Sequence, residues 1–308
     1  MPADAVVFDR VSRRYGAVEA IAGVSLSIAS GEMFGLIGPD GAGKTTSIRM
    51  MCGLLRPDAG TIRVLGLDPA AQHRAVTNSV GYLSQRFSLY SDLSINENIA
   101  FFAEIHGMRD YAARRTRLLE LTQLTPFGDR LAGQLSGGMK QKLALACTLI
   151  HEPRLIVLDE PTTGVDPVSR REFWKLLSEF LAQGITIVMS TPYLDEAERC
   201  ARVALLHGGR LLALDTPGAL RRSLPGAVFE VLTSDHRRAV DVLRSMAGVA
   251  DVQTFGERAH VRVNEAPSDA VARLTQQLTT AGLDVTSVRQ VPASLEDVFV
   301  SRLGETRS

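Results

Sequence analysis

The segment Gly38-Pro39-Asp40-Gly41-Ala42-Gly43-Lys44-Thr45-Thr46 follows the apolar run Met33-Phe34-Gly35-Leu36-Ile37 without a break. It fits G-x-x-x-x-G-K-[ST], a pattern that leaves a chain few ways to fold. The apolar run reads as a strand buried on both faces, and a helix beginning at Lys44 turns its N-terminus toward the loop. Glycines let the backbone wrap a phosphate chain with its N–H groups pointing inward. The phosphate-binding residues expected here are Gly38, Asp40, Gly41, Ala42, Gly43, Lys44, Thr45 and Thr46. Lys44 reaches the β- and γ-phosphates of a nucleotide, and the Thr45 hydroxyl sits on Mg²⁺. With glycine near 7 % of residues, a chain of this length shows the pattern by accident roughly one time in a hundred.

A second apolar run, Leu155-Ile156-Val157-Leu158, ends in Asp159-Glu160, and a third is Ile185-Thr186-Ile187-Val188-Met189. Ligands of open α/β sheets bind at the C-terminal ends of such strands. Asp159 can hold Mg²⁺ through water there, and Glu160 can orient and deprotonate an attacking water.

Buried runs alternate with amphipathic segments as far as about Leu214, the rhythm of a parallel α/β domain. A helix-rich stretch lies between the first two runs. It opens with the capping-box pattern Ser94-Ile95-Asn96-Glu97 and includes 111–124, charged on one face and leucine-rich on the other. Beyond the turn-rich patch Asp215-Thr216-Pro217-Gly218 and Pro225-Gly226 the rhythm changes. Strands are expected at 228–233, 249–254, 260–263 and 285–291, with helices at 236–246, 268–281 and 295–303. The βαββαβ order is that of a small ferredoxin-like unit. The 308 residues thus divide into 1–224, with a helical subdomain near 87–150, and 225–308.

Thirty-four Lys+Arg balance 34 Asp+Glu, so the large electrostatic footprint of a nucleic-acid binder is missing and no such partner is expected. No apolar run approaches the ~20 residues needed to cross a bilayer. The first residues, MPADAVVFDR, have no apolar h-region. Cys52, Cys147 and Cys200 are too scattered for a disulfide framework or a zinc site. A cytoplasmic chain is expected.

Leu135-Ser136-Gly137-Gly138-Met139-Lys140-Gln141 opens a helix whose apolar positions are Met139, Leu143, Ala146 and Ile150. Ser136 suits its N-cap, whereas two glycines in a first turn are unfavourable unless an anion approaches the exposed N–H groups. Here the chain resembles the ATP-binding subunits of ABC transporters, whose signature is LSGGQ, with Met139 in place of the glutamine. The resemblance covers about two-thirds of the chain. It implies a P-loop NTPase fold, a RecA-like parallel sheet with a helical subdomain, and ATP and Mg²⁺ as ligands. Tyr15 resembles the aromatic that stacks on adenine. Gln85 in Tyr82-Leu83-Ser84-Gln85 resembles the glutamine that touches Mg²⁺ and senses the membrane subunit, and with Lys44 and Glu160 it completes the expected catalytic set. Asp166 in Thr163-Gly164-Val165-Asp166 resembles the aspartate that crosses the dimer interface.

The family further implies a head-to-tail dimer, with ATP held between the loop of one chain and Ser136, Gly137 and Gly138 of the other. Two residues depart from the pattern. The switch histidine is replaced by Pro192, for which Thr191 offers a helix cap and Pro the first helical position. Asp40 stands where asparagine is commoner. The ending Ser294-Leu295-Glu296-Asp297-Val298-Phe299 resembles the "SLEDVF" of ATPases serving ABC-2-type exporters, although Ser294 as N-cap explains it locally. That branch implies integral-membrane permease subunits as partners, a peripheral location on the inner face of the cell membrane, and pairing as a homodimer or with a second ABC ATPase. Residues 85–92 and 94–106 would dock the permease, with Phe87, Leu89 and Tyr90 as candidate contacts. A non-transport ABC ATPase and a low-turnover ATP-gated regulator stay open as alternatives. The tail could also serve as a small-molecule sensor or a dimer-stabilising module.

Overall fold

The computed structural model describes residues 4–85, 89–264 and 269–305. Phe87 and the expected helix start at Ser268 lie outside these residues. The chain divides into two compact units, 1–214 and 215–308. Residues 215–224, which the sequence reading left with the first domain, therefore belong to the second unit, where their helix packs against the last helix of the chain.

The first unit begins with two long strands, β1 (Asp4–Tyr15) and β2 (Val18–Ala29), then β3 (Met33–Ile37) and helix α1 (Lys44–Met51). After β4 (Ala59–Val64), α2 (His73–Thr77) and β5 (Val80–Leu83) come three helices, α3 (Ile95–Ile105), α4 (Ala112–Thr122) and α5 (Gly137–Leu149). The unit closes with β6 (Leu155–Asp159), α6 (Pro167–Ala182), β7 (Thr186–Thr191), α7 (Leu194–Ala197), β8 (Arg202–His207) and β9 (Arg210–Asp215). The larger sheet runs β5-β6-β7-β3-β8-β9. Its neighbours from β5 to β8 are parallel, in register Val157↔Val188 and Phe34↔Val188. Every residue of β3, β6 and β7 is buried, as strands covered on both faces must be.

The smaller sheet, β2-β1-β4, is antiparallel and was not anticipated as strands. Register shifts interrupt β1, and Arg10 takes φ 49° within it, which breaks the alternation that would have announced it. Val6, Phe8 and Ile21 of this sheet share one core with Phe34, Ile48 and Val157. Ser94 caps α3 as expected: its hydroxyl accepts from Glu97 N–H, and the Glu97 carboxylate accepts from Ser94 N–H.

The second unit comprises α8 (Pro217–Arg222), β10 (Ala227–Thr233), α9 (His236–Arg244), β11 (Val249–Phe255), β12 (Arg258–Val263), α10 (Ala270–Thr280), β13 (Val285–Val291) and α11 (Leu295–Glu305). Its antiparallel sheet runs β11-β12-β10-β13, the ferredoxin-like order. Phe229, Val231, Val252 and Val261 form its core with Leu243 of α9 and Leu274 and Leu278 of α10. Ser294 caps α11, its hydroxyl accepting from Asp297 N–H, while buried Asp297 also meets Nδ1 of His260 on β12. Among the described residues, no helix is long and apolar enough to cross a membrane.

Candidate nucleotide site

The loop between β3 and α1 forms one wall of a cleft of about 420 Å³. Gly43 stands at φ 103°, and a Cβ there would come within 2.6 Å of the Ala20 carbonyl oxygen, so no larger residue fits. Gly43 is also the N-cap of α1 and offers no side chain to its orphan N–H groups, which leaves them for an anion. Lys44 is buried, and its Nζ donates to the carbonyls of Gly38 (2.8 Å) and Pro39 (3.1 Å). The same ammonium pairs with Glu160 Oε1 at 3.1 Å, and Gln85 Nε2 donates to Glu160 Oε2 at 3.1 Å. Gln85, Lys44 and Glu160, distant in sequence, are thus joined in one cluster.

Glu160 reaches this position because its backbone turns left-handed at the strand end, φ 50°. Such a conformation costs a non-glycine residue on the order of 1–3 kcal/mol and persists where the surroundings fix it. The fixing contact is Ser190, directly opposite Asp159 across the β6–β7 ladder. Its Oγ accepts from Glu160 N–H (3.0 Å) and donates to Asp159 Oδ1 (2.6 Å). Thr45 Oγ1 donates to the same Asp159 oxygen at 3.1 Å. Ser190 was missed from sequence; the signal was its register against Asp159, which no linear motif carries.

The hydroxyl of Thr45, the carboxylate of Asp159 and the amide oxygen of Gln85 are hard oxygen donors of the kind Mg²⁺ takes. Among the described residues no group of three or more His, Cys, Asp and Glu could hold a metal. An ion held by a few protein oxygens keeps its other positions for phosphate oxygens and water. The residues present therefore suit Mg²⁺.

Tyr15, Val18 and Ala20 line the cleft together with Asp40, Gly41, Ala42, Thr45 and Thr46. Tyr15 is 44 % exposed, with the Arg13 guanidinium 5.2 Å from its ring centroid. Asp40 is exposed at the loop tip. The signature residues 136–138 are not among those that line the cleft. Ser136 caps α5, accepting from Met139 N–H at 3.2 Å. A Cβ on Gly137 would meet open space, whereas one on Gly138 would fall 2.2 Å from Ser169 Oγ on α6. The two glycines thus have separate reasons: one leaves a surface open, the other lets two helices approach. Asp166 caps α6 through the N–H groups of Val168 and Ser169, each at 3.0 Å. The hydroxyl and N–H of Ser169 hold its carboxyl below the ordinary value.

The expectation for Thr191 is corrected. Helix α7 starts at Leu194 with Tyr193 as N-cap, so Thr191 does not cap it and Pro192 is not its first residue. The Thr191 hydroxyl is drawn elsewhere: it accepts from Tyr193 N–H (3.0 Å) and donates to the buried Glu196 (2.7 Å).

Comparison with known proteins identifies the family. Residues 21–163 match the family model "ABC transporter", and residues 216–302 match "ATP-binding protein DrrA1-3-like, C-terminal domain". The chain is 37 % identical to "Daunorubicin resistance ATP-binding protein DrrA2" of Streptomyces coeruleorubidus, over 97 % of this chain and 95 % of that protein. The chain belongs to the ABC transporter ATP-binding family. Its ATP-binding subunits are P-loop ATPases, and the second unit is a DrrA-like C-terminal domain.

Another cassette of the family, "Nod factor export ATP-binding protein I" of Paraburkholderia xenovorans, is 38 % identical over 99 % of this chain and 98 % of its own length. "Probable multidrug ABC transporter ATP-binding protein YbhF" of Escherichia coli is 40 % identical over 98 % of this chain. The chain spans about half (52 %) of that relative's length. Among solved structures, an "ATP binding subunit of ABC transporter" superposes with a TM-score of 0.65 at 32 % identity, covering 71 % of this chain and 92 % of the other. A "Dimeric Structure of MJ0796, a Bacterial ABC Transporter Cassette" gives 0.61 at 26 % identity, covering 68 % and 98 %.

Proposed function

We propose that this ABC cassette hydrolyses ATP to drive export of a small molecule, drug-like or lipophilic, through a separate ABC-2-type membrane permease, docked at the inner face of the cell membrane. The observation that carries the reading is the cluster of Lys44, Glu160 and Gln85 in one cleft beside Thr45 and Asp159. Lys44 and the N–H groups of 38–46 bind the phosphates, Tyr15 stacks on the base, and Glu160 takes the proton of the attacking water while Gln85 orients its carboxylate. Thr45, Asp159 and Gln85 would hold Mg²⁺, which supplies charge neutralisation at the phosphate oxygens when bound. Exposed Gly137 and the signature outside the cleft support a second cassette completing the site, as a homodimer or a heterodimer. The names of two relatives, for daunorubicin resistance and for Nod factor export, support an export role.

Pro192 favours an asymmetric pair, in which this chain's own site turns over slowly and its intact Ser136-Gly137-Gly138 serves a partner that carries the histidine. A lost hydrogen bond to a charged group costs about 1.5–3 kcal/mol, roughly ten- to a hundred-fold in rate. The purified chain is expected to hydrolyse ATP slowly and Pro192→His to raise that rate. A fast wild-type homodimer, unimproved by the change, would overturn the asymmetric pairing. Co-purification with a permease from detergent-solubilised membranes tests the export role, and recovery of the cassette without any membrane subunit would count against it.

A further inference from the structure

Glu196 is a carboxylate on α7 with 1 % of its surface exposed, and none of the catalytic roles above uses it. A charge taken out of water is costly unless its oxygens are satisfied. Both are: Thr162 Oγ1 donates to Oε1 at 2.5 Å, and Thr191 Oγ1 donates to Oε2 at 2.7 Å. Arg170 of α6 places Nε 3.7 Å from Oε1, a charge contact too long for a hydrogen bond, and its guanidinium rests 5.2 Å from the Tyr193 ring centroid. The three partners come from three segments that bear on the reaction. Thr162 lies two residues past Glu160 in the turn that ends at Asp166, the cap of α6. Thr191 ends β7, next to Pro192 and to Ser190, which holds Asp159 and Glu160. Arg170 stands on α6 itself.

We propose that Glu196 is a positioning residue for ATP hydrolysis, a buried strut that fixes the 160–166 turn against the end of β7 and so sets the placement of Glu160 and Asp166. The inference rests on the ATPase reading above and adds to it a group that touches neither nucleotide nor metal. Glu196 itself does not touch the loop at 38–46, although the carbonyl of its partner Thr191 accepts from Gly38 N–H at 3.4 Å, so the test reads affinity beside turnover.

The full chain is compared with Glu196→Ala, Glu196→Gln and Thr162→Val for affinity toward a fluorescent ATP analogue, for kcat and KM of ATP turnover, and for amide exchange across residues 160–170. Glu196→Ala and Thr162→Val are expected to lower kcat about tenfold, to leave analogue affinity within about twofold, and to speed exchange across the turn. Glu196→Gln keeps an acceptor for one hydroxyl while the other can turn to accept from the amide N–H, and it is expected to recover most of kcat. Unchanged kcat in Thr162→Val and Glu196→Ala would overturn the inference, as would equal losses of affinity and kcat that glutamine fails to restore. Should Glu196→Ala not fold, Thr162→Val, close in volume, carries the comparison. A wild-type chain that binds ATP without turnover sinks the ATPase reading alone; exchange across 160–170 then decides the strut, and unchanged exchange in Thr162→Val overturns it.

Discussion

Lys44 and Glu160 share an ion pair inside the cleft, yet their substitutions should separate binding from chemistry. Lys44→Ala removes the ammonium that meets the phosphates and is expected to weaken ATP binding ten- to a hundred-fold, about the value of one or two charge-assisted contacts, in equilibrium titration. Glu160→Gln keeps the side chain's size and its reach toward Gln85, so it is expected to bind ATP within a few-fold of wild type. Its turnover is expected to fall by about 10²–10⁴, the usual contribution of a general base, in a phosphate-release assay. If Glu160→Gln still turns ATP over at the wild-type rate, the base lies elsewhere. The motif residues could be named from sequence because most sit in short contiguous runs, 38–46, 136–138 and 159–160, that a linear pattern displays. Ser190, Thr162 and Glu196 could not, since they meet their partners through the register of β6 with β7 and the packing of α7, which linear spacing does not encode.

At the level of elements, the start of α5 makes a paired prediction. Gly137→Ala adds a methyl to open space in a helix, where alanine is favoured by up to about 1 kcal/mol, so the melting temperature is expected to hold or rise. Gly138→Ala forces a methyl onto Ser169 Oγ and is expected to lower it. If Gly137→Ala keeps its stability while ATP-driven pairing is lost, the first glycine's value lies between chains rather than within one.

The end of α5 carries a pH response. His151 stacks on His106 with ring centroids 3.8 Å apart and 4° between planes. Burial, and after it the His106 and Arg114 charges, push the His151 pKa down from 6.5 to about 4. Between those values the unfolded chain takes up a proton that the folded chain refuses. Stability from this site is therefore complete above pH 6.5 and drains as pH falls toward 4, at up to about 1.4 kcal/mol per unit. His151→Phe is expected to flatten that part of a urea-unfolding profile; an unchanged slope would place the sensitivity on other groups. The elements legible from sequence were those with unbroken patterns, such as the buried runs of β3, β6 and β7 and the capping box of α3. Of the strands that escaped, β1 has its alternation broken by register shifts and β4 is short and mostly exposed, whereas β2 does alternate, at Val24, Leu26 and Ile28, and was overlooked.

On the scale of the molecule, each unit has its own apolar core, one built on Phe34 and Val157, the other on Phe229 and Val261. Calorimetry is expected to resolve two transitions, of which ATP with Mg²⁺ raises only the one belonging to residues 1–214. At a hundredfold excess over Kd the gain is about 2.7 kcal/mol. A shift of both transitions together would mean that the units melt as one. The ferredoxin-like order of the second unit was readable because its strands and helices alternate cleanly, and the turn-rich patch 215–226 marked the zone of the division, which falls at its start, between Leu214 and Asp215. The order of strands in the larger sheet has a last consequence, for biosynthesis. The strand that leads into the ATP loop, β3, is flanked by β7 and β8, which begin only at Thr186 and Arg202. A nascent chain therefore displays an apolar strand with neither neighbour while most of the first unit is still being translated. The loop that is made among the first segments becomes competent among the last, and ribosome-bound fragments that stop short of residue 186 lack both strands that flank β3 in the larger sheet.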